Sequence, residues 1–214
     1  MEVLNLKKDF QYILFDLDGT LWDATSQIVN AWNNVIAKKN IKANISIDQM
    51  KSCMGKNIED IVQIILKIND EKLKKEVIND CSAEECEYLK KNGGKLFHGV
   101  KDVLVKLKEK YELFIVSNCQ EGYIEPFLHY YGFGNLFKDY ESSGRTKESK
   151  AKNIQSIILR NNLEEACYVG DTIDDFKATN EVGIKFIYAQ YGFGEVEEAQ
   201  YCISKFEEIL NVLE

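Results

Sequence analysis

The chain has 214 residues, 45% of them hydrophobic and 29% charged, which supplies a packed core and excludes wholesale disorder. Its formal net charge of −8 argues against nucleic acid and anionic membranes as partners. The length suits one domain, or a core domain that carries a smaller insertion.

The first apolar run, Tyr12–Phe15, follows the segment MEVLNLKKDF. It is too short, and too soon ended by Asp16, to read as an export signal. No stretch approaches the roughly 20 apolar residues of a membrane span. Further β-rich runs lie at 113–116, which leads into Ser117 and Asn118, and at 167–169, which leads into Gly170 and Asp171. A fourth lies at 185–188 and a weak fifth at Tyr201–Ile203. Runs this short, with no polar alternation, predict buried parallel strands.

Helical patterns alternate with them. Val100, Val103, Leu104 and Leu107 form one apolar face, as do Ile154, Ile157 and Ile158. The alternation predicts a doubly wound, mainly parallel α/β sheet. One region breaks it. From about Asp23 to Gly94 no strand is predicted, while Ile28, Ala31, Trp32, Val35 and Ile36 mark one helix and Ile58, Ile61, Val62 and Ile65 a second. Residues 71–91 predict one long charged helix or two. So long a helical segment is too much for a crossover and reads as an inserted α-helical domain over 23–94, with the core formed by 1–22 and 95–214. Gly93 and Gly94 would supply flexible backbone at the return.

Six cysteines are scattered without a CxxC pair, and only two histidines occur, so a zinc site is not expected. The thiols read as reduced cysteines of a cytoplasmic protein.

The strongest chemical signal is Asp16-Leu17-Asp18-Gly19-Thr20. Carboxylates at i and i+2 on extended backbone point the same way, and strand ends of a doubly wound sheet form its ligand crevice. Read alone, this is also an ordinary strand end followed by an Asp-Gly turn. Three other strand ends or helix starts weigh against that: Ser117-Asn118, the acid-rich Gly170-Asp171-Thr172-Ile173-Asp174-Asp175, and Ser149-Lys150, where Ser149 can cap a helix. Acids, a hydroxyl and a lysine gathered at strand ends suit a dianion held through a metal.

These four motifs, in this order, resemble those of the haloacid dehalogenase superfamily of phosphatases, and the helical insertion resembles the cap of its phosphoglycolate phosphatase-like branch. The resemblance covers essentially the whole chain. It implies a core with strand order 3-2-1-4-5 or a close variant. It also implies hydrolysis of a small organic phosphate monoester through an aspartyl-phosphate. Asp16 would be the nucleophile and Asp18 the general acid and base. Mg²⁺ would be held by Asp16, Asp171 and the Asp18 carbonyl, with Asp175 behind them. Ser117 and Lys150 complete the implied catalytic set, and Thr20, Asn118 and Lys56 are candidate phosphate or substrate contacts.

Two positions depart from the family pattern. Relatives often carry Lys-Pro at the third motif, whereas this chain offers Lys147 or Lys150; Lys150 is favoured because it would be fixed in the first turn of a helix. His98 stands before Gly99 where proline is frequent, and it reads as structural. Trp22, Trp32, Met50 and Met54 read as packing residues. The implied partner is a small phosphorylated metabolite, with the protein a monomer or homodimer. Rival readings are a β-phosphoglucomutase-like transferase, a pyrophosphate or phosphonoacetaldehyde hydrolase, a phospho-accepting receiver domain, and a silent phosphate-binding protein on the same fold.

Overall fold

The computed structural model describes residues 10–213. The first described elements are strand β1 (Tyr12–Phe15) and a two-residue strand β2 (Trp22–Asp23). Four helices follow: α1 (Thr25–Lys38), α2 (Ile47–Lys51), α3 (Ile58–Leu66) and α4 (Glu71–Asn92). The predicted 71–91 segment is therefore one helix. Strand β3 (Lys95–Leu96) returns the chain, and α5 (Val100–Lys108), β4 (Glu112–Ser117) and α6 (Ile124–Tyr131) come next. Then follow β5 (Phe137–Ser142), the short α7 (Ser143–Thr146), α8 (Lys150–Asn161), β6 (Ala166–Gly170) and α9 (Ile173–Val182). The chain ends with β7 (Lys185–Ala189), β8 (Tyr201–Ile203), a 3₁₀ turn at Phe206–Glu208 and α10 (Ile209–Leu213).

Six strands form one parallel sheet in the order β5-β4-β1-β6-β7-β8. Strand β1 is central: Phe15 is paired with Ile115 of β4 on one side and Val169 of β6 on the other. This corrects the sequence reading in one respect. The third strand of this sheet in chain order is β5, which the sequence reading does not predict, and the weak run Tyr201–Ile203 is its sixth strand, at the far edge. Strand β5 hides in the sequence because FKDYES lacks an apolar run; it is an edge strand with exposed or half-buried residues in its middle. Its acids are held from outside by Arg160, which donates to Asp139 and Glu141.

The sheet is covered on both faces because side chains alternate along each strand. Ile13 and Phe15 of β1 join the core beneath α5, α6 and α10, while Leu14 joins the core beneath α8 and α9. The helical segment α1–α4 packs internally, chiefly α1 against α4, and α4 also lies against α6 of the sheet layer. Its two ends are tied together: β2 and β3 pair antiparallel, Trp22 opposite Leu96 and Asp23 opposite Lys95. Gly94 is pressed against Trp22 and Ala24, where an added Cβ would lie 2.7 Å from the indole. The return is thus a packed two-strand ribbon as well as a glycine-rich joint. Among the described residues no helix is long and apolar enough to cross a membrane.

Candidate active site

The carboxyl ends of β1, β4 and β6 converge at the centre of the sheet, where chain connections leave in opposite directions. Asp16 directly follows β1, and its backbone N–H donates to the Val169 carbonyl at 2.8 Å. Gly19 then turns the chain with φ +84°, and a Cβ there would sit 2.1 Å from a carboxylate oxygen of Asp171. A Cβ at Gly192 would meet Asp171 at 2.3 Å. Backbone therefore closes around Asp171 in a way that side chains would prevent.

Lys150 is the first residue of α8, whose N-cap Ser149 accepts from the Lys152 N–H. The buried ammonium of Lys150 donates to Asp16 Oδ1 at 2.8 Å and to Asp175 Oδ1. Lys147 is exposed, in left-handed backbone, and lines a groove of about 740 Å³ outside this cluster. Asp175 is the third residue of α9 and forms a capping box with Thr172. Its Oδ2 accepts the backbone N–H groups of Asp171 and Thr172 at 3.2 and 2.9 Å. Asp174 is exposed.

Asp18 has different company. Its Oδ1 accepts the Tyr123 hydroxyl at 2.9 Å, and among the described residues no lysine or arginine bonds it. Burial first, and the charge of Asp16 second, push Asp18 well above the usual carboxylate range. Burial raises Asp16 only to about 6, because the Lys150 ammonium opposes it. Asp171 is driven well above its ordinary value by burial and by Asp175 and Asp16, against the Phe193 N–H that donates to it at 2.7 Å. Burial works against the charge of Lys150, but Asp16 and Asp175 outweigh it and hold the ammonium well above its usual value.

Four buried carboxylates, Asp16, Asp18, Asp171 and Asp175, thus share the sheet centre with the buried ammonium of Lys150, which bonds two of them. One oxygen from each of Asp16, Asp171 and Asp175 falls within 4.8 Å of the others. An all-oxygen, buried set with excess negative charge is the donor chemistry of a hard divalent cation.

Asp16, Asp18 and Ser117 open into a cavity of about 40 Å³, walled on the helical side by Ile28, Trp32, Met50, Met54, Ile58 and Ile61. Lys56 is exposed at its edge. Thr20 stands behind the cavity instead: its hydroxyl donates to Asp171 Oδ1 at 3.4 Å and its carbonyl accepts from Tyr191. The Asn118 amide is spent on bridging, donating to the Gly55 carbonyl at 3.0 Å and accepting from Ser143 Oγ. His98 pairs with Glu207 outside the site.

The family profile described as haloacid dehalogenase-like hydrolase matches residues 13–189, which include Asp16, Asp18, Ser117, Lys150, Asp171 and Asp175. The chain belongs to that family. Among its relatives is a phosphoglycolate phosphatase of Colwellia psychrerythraea, 26% identical over 219 residues and covering 94% of this chain and 95% of the relative. Another is a phosphoglycolate phosphatase of Aquifex aeolicus, 27% identical over 190 residues, with 85% of each chain covered. A haloacid dehalogenase-like hydrolase of Streptococcus pneumoniae shares the fold, with TM-score 0.80 at 22% identity over 95% of this chain and 98% of the other. So does CbbY of Rhodobacter sphaeroides, solved in complex with phosphate, with TM-score 0.81 at 15% identity over 94% and 96%.

This haloacid dehalogenase-like hydrolase carries cavity residues that the sequence reading passed over. Tyr123 and Gln120 come from the loop after β4, and Glu85 from α4. Trp32 does more than pack, since its indole N–H donates to Glu85 Oε2. A signal for Glu85 exists in the sequence: the buried residues of α4 are Val77, Cys81, Glu85 and Leu89, a strict spacing of four. The acid stands where the stripe calls for an apolar residue.

Proposed function

We propose that this hydrolase is a Mg²⁺-dependent phosphatase that removes phosphate from small organic monoesters through a phosphoryl group carried on Asp16. The observation that carries the reading is the divergence of two neighbouring carboxylates. Asp16 is held against an ammonium 2.8 Å away and Asp18 against a neutral phenol. Paired acids whose surroundings separate them in this way take different parts in a reaction.

Asp16, favoured as carboxylate by Lys150, attacks phosphorus. The bond from phosphorus to the leaving oxygen breaks, and Asp18, favoured as the acid, gives that oxygen its proton. Asp18, now ionised, takes a proton from water as it attacks the phosphoryl group, which releases phosphate and restores the Asp16 carboxylate. Ser117, buried at the end of β4, and Lys150 bind phosphoryl oxygens in this reading. Asp16, Asp171 and the Asp18 carbonyl would hold Mg²⁺, with Asp175 orienting Asp171 and Lys150 from behind. Bound there, the ion supplies charge neutralisation between the acids and the incoming dianion.

The segment 23–94 acts as the cap of this site in the same proposal, and the phosphoglycolate phosphatase-like relatives support a small-metabolite substrate. Cytoplasmic location and a monomeric or homodimeric state belong with it. The test is release of inorganic phosphate from acetyl phosphate and a panel of phosphorylated metabolites with Mg²⁺ present. Asp16→Asn is expected to lower kcat on the order of 10³-fold or more. A variant that keeps most of its activity would remove Asp16 as nucleophile. Phosphate retained on a sugar product would favour the mutase reading, and no turnover on any substrate the binding-protein one.

A further inference from the structure

We infer that Glu85 selects the leaving group: it favours phosphate monoesters of amino alcohols and polyols, which offer an ammonium or hydroxyl, over esters that carry a carboxylate. This deepens the phosphatase reading and rests on it.

Glu85 lines the same cavity as Asp16, Asp18 and Ser117. It is 3% exposed. Its Oε2 accepts the Trp32 indole N–H and its Oε1 accepts the Gln120 side-chain amide at 2.8 Å. Both donors are neutral, one from α1 and one from the loop after β4. They fix the carboxyl in place without neutralising it, and each oxygen keeps a further lone pair. A buried acid with no cationic partner is costly, and it is a site for one. The remaining surfaces that the helical segment turns to the cavity are apolar, apart from Lys56 at the edge.

The electrostatics of this wall therefore depend on Glu85 and Lys56, which have opposite signs. Lys56 is exposed, so water and salt screen it. Glu85 is buried and is not screened in this way. Because Asp16 and Glu85 line one cavity, a short leaving group attached to a phosphate at Asp16 comes within reach of Glu85. An ammonium or hydroxyl there gains a charge-assisted hydrogen bond. A carboxylate meets a like charge in a low-dielectric enclosure, beside the further acids Asp16 and Asp18.

The experiment measures kcat/KM at pH 8 with Mg²⁺ for four substrates: ethanolamine phosphate, glycerol 1-phosphate, 2-phosphoglycolate and ethyl phosphate as the reference without donor or extra charge. In the wild-type protein the first two are expected to exceed 2-phosphoglycolate at least tenfold; their order separates ammonium from hydroxyl recognition. In Glu85→Gln, the ratio of ethanolamine phosphate to ethyl phosphate is expected to fall about tenfold, and that of 2-phosphoglycolate to rise by a similar factor. Glu85→Met places an apolar side chain on the Val77–Cys81–Leu89 stripe and serves if the glutamine variant does not fold. Preference for 2-phosphoglycolate in the wild-type protein, or unchanged ratios in a folded variant, overturns the inference and leaves the phosphatase reading standing. A wild-type protein inert toward all four and toward acetyl phosphate defeats the phosphatase reading itself.

Discussion

Glu85 and Asp18 show how much of this protein's chemistry is set by the removal of water around single side chains. Burial raises Glu85 from an ordinary 4.5 to about 7, with the hydrogen bonds from Trp32 and Gln120 opposing it. Between those values the folded protein keeps a proton that the unfolded chain has released. Folding stability from this group is therefore complete below the ordinary value and is lost as pH rises through about 7. The full loss is roughly 3 kcal/mol, one pKa unit being about 1.4 kcal/mol. Glu85→Gln cannot titrate, so its stability relative to the wild-type protein should climb by roughly 2–3 kcal/mol between pH 5 and pH 8. Urea unfolding of both proteins at the two pH values measures this. Parallel pH profiles would show that Glu85 is solvated after all.

Between elements, the loop after β4 is the hub. It leaves the strand with Ser117 in the cavity, and its next residues reach across to the helical segment. Asn118 bonds the carbonyl of Gly55, in the turn between α2 and α3, and Gln120 bonds Glu85 on α4. The loop that lines the phosphate end of the cavity is thereby coupled to the wall that meets the leaving group. Removing one bridge should loosen the turn without unfolding the sheet. Asn118→Ala is expected to raise amide hydrogen exchange in residues 54–57 roughly tenfold and to cost about 1 kcal/mol of global stability. Unaltered exchange in that turn would mean that packing of Met54 and Ile58, not the bridge, holds it closed.

For the molecule as a whole, the sheet centre gathers four buried acids around the buried Lys150, an excess of negative charge away from water. A divalent cation that binds only the folded state relieves it. At a concentration of about 100 times Kd, Mg²⁺ should stabilise the protein by about 2.7 kcal/mol. For a chain of this size that is a Tm rise of roughly 5–10 °C. Calorimetry with Mg²⁺ and with chelator checks it, and Asp171→Asn should abolish the shift. Ca²⁺ is expected to stabilise as well but to inhibit turnover, since its larger and looser coordination misplaces Asp16. Equal melting with and without Mg²⁺ would remove the metal from the proposal.

The parts of the fold legible in the sequence are those where one local pattern meets one environment. Strands β1, β4, β6 and β7 are buried on both faces, so their apolar runs stand out, and the acids that follow β1 and β6 mark the crevice without any tertiary information. Lys150 could be preferred over Lys147 from helix position alone, because Ser149 announces the start of α8. Strand β5 was not legible: as an edge it is specified by Arg160, a residue of α8, more than by its own hydrophobicity. Trp32 could not be told from a core residue, since an indole packs the same way whether or not its N–H has a partner. Glu85 left a trace in the spacing of α4, but its meaning depends on the groups that surround it. Local sequence determined which residues could act. Only the chain's long-range closure decided which of them face one another, because desolvation and charge pairing act between residues as far apart in sequence as Asp16 and Lys150, or Glu85 and Gln120.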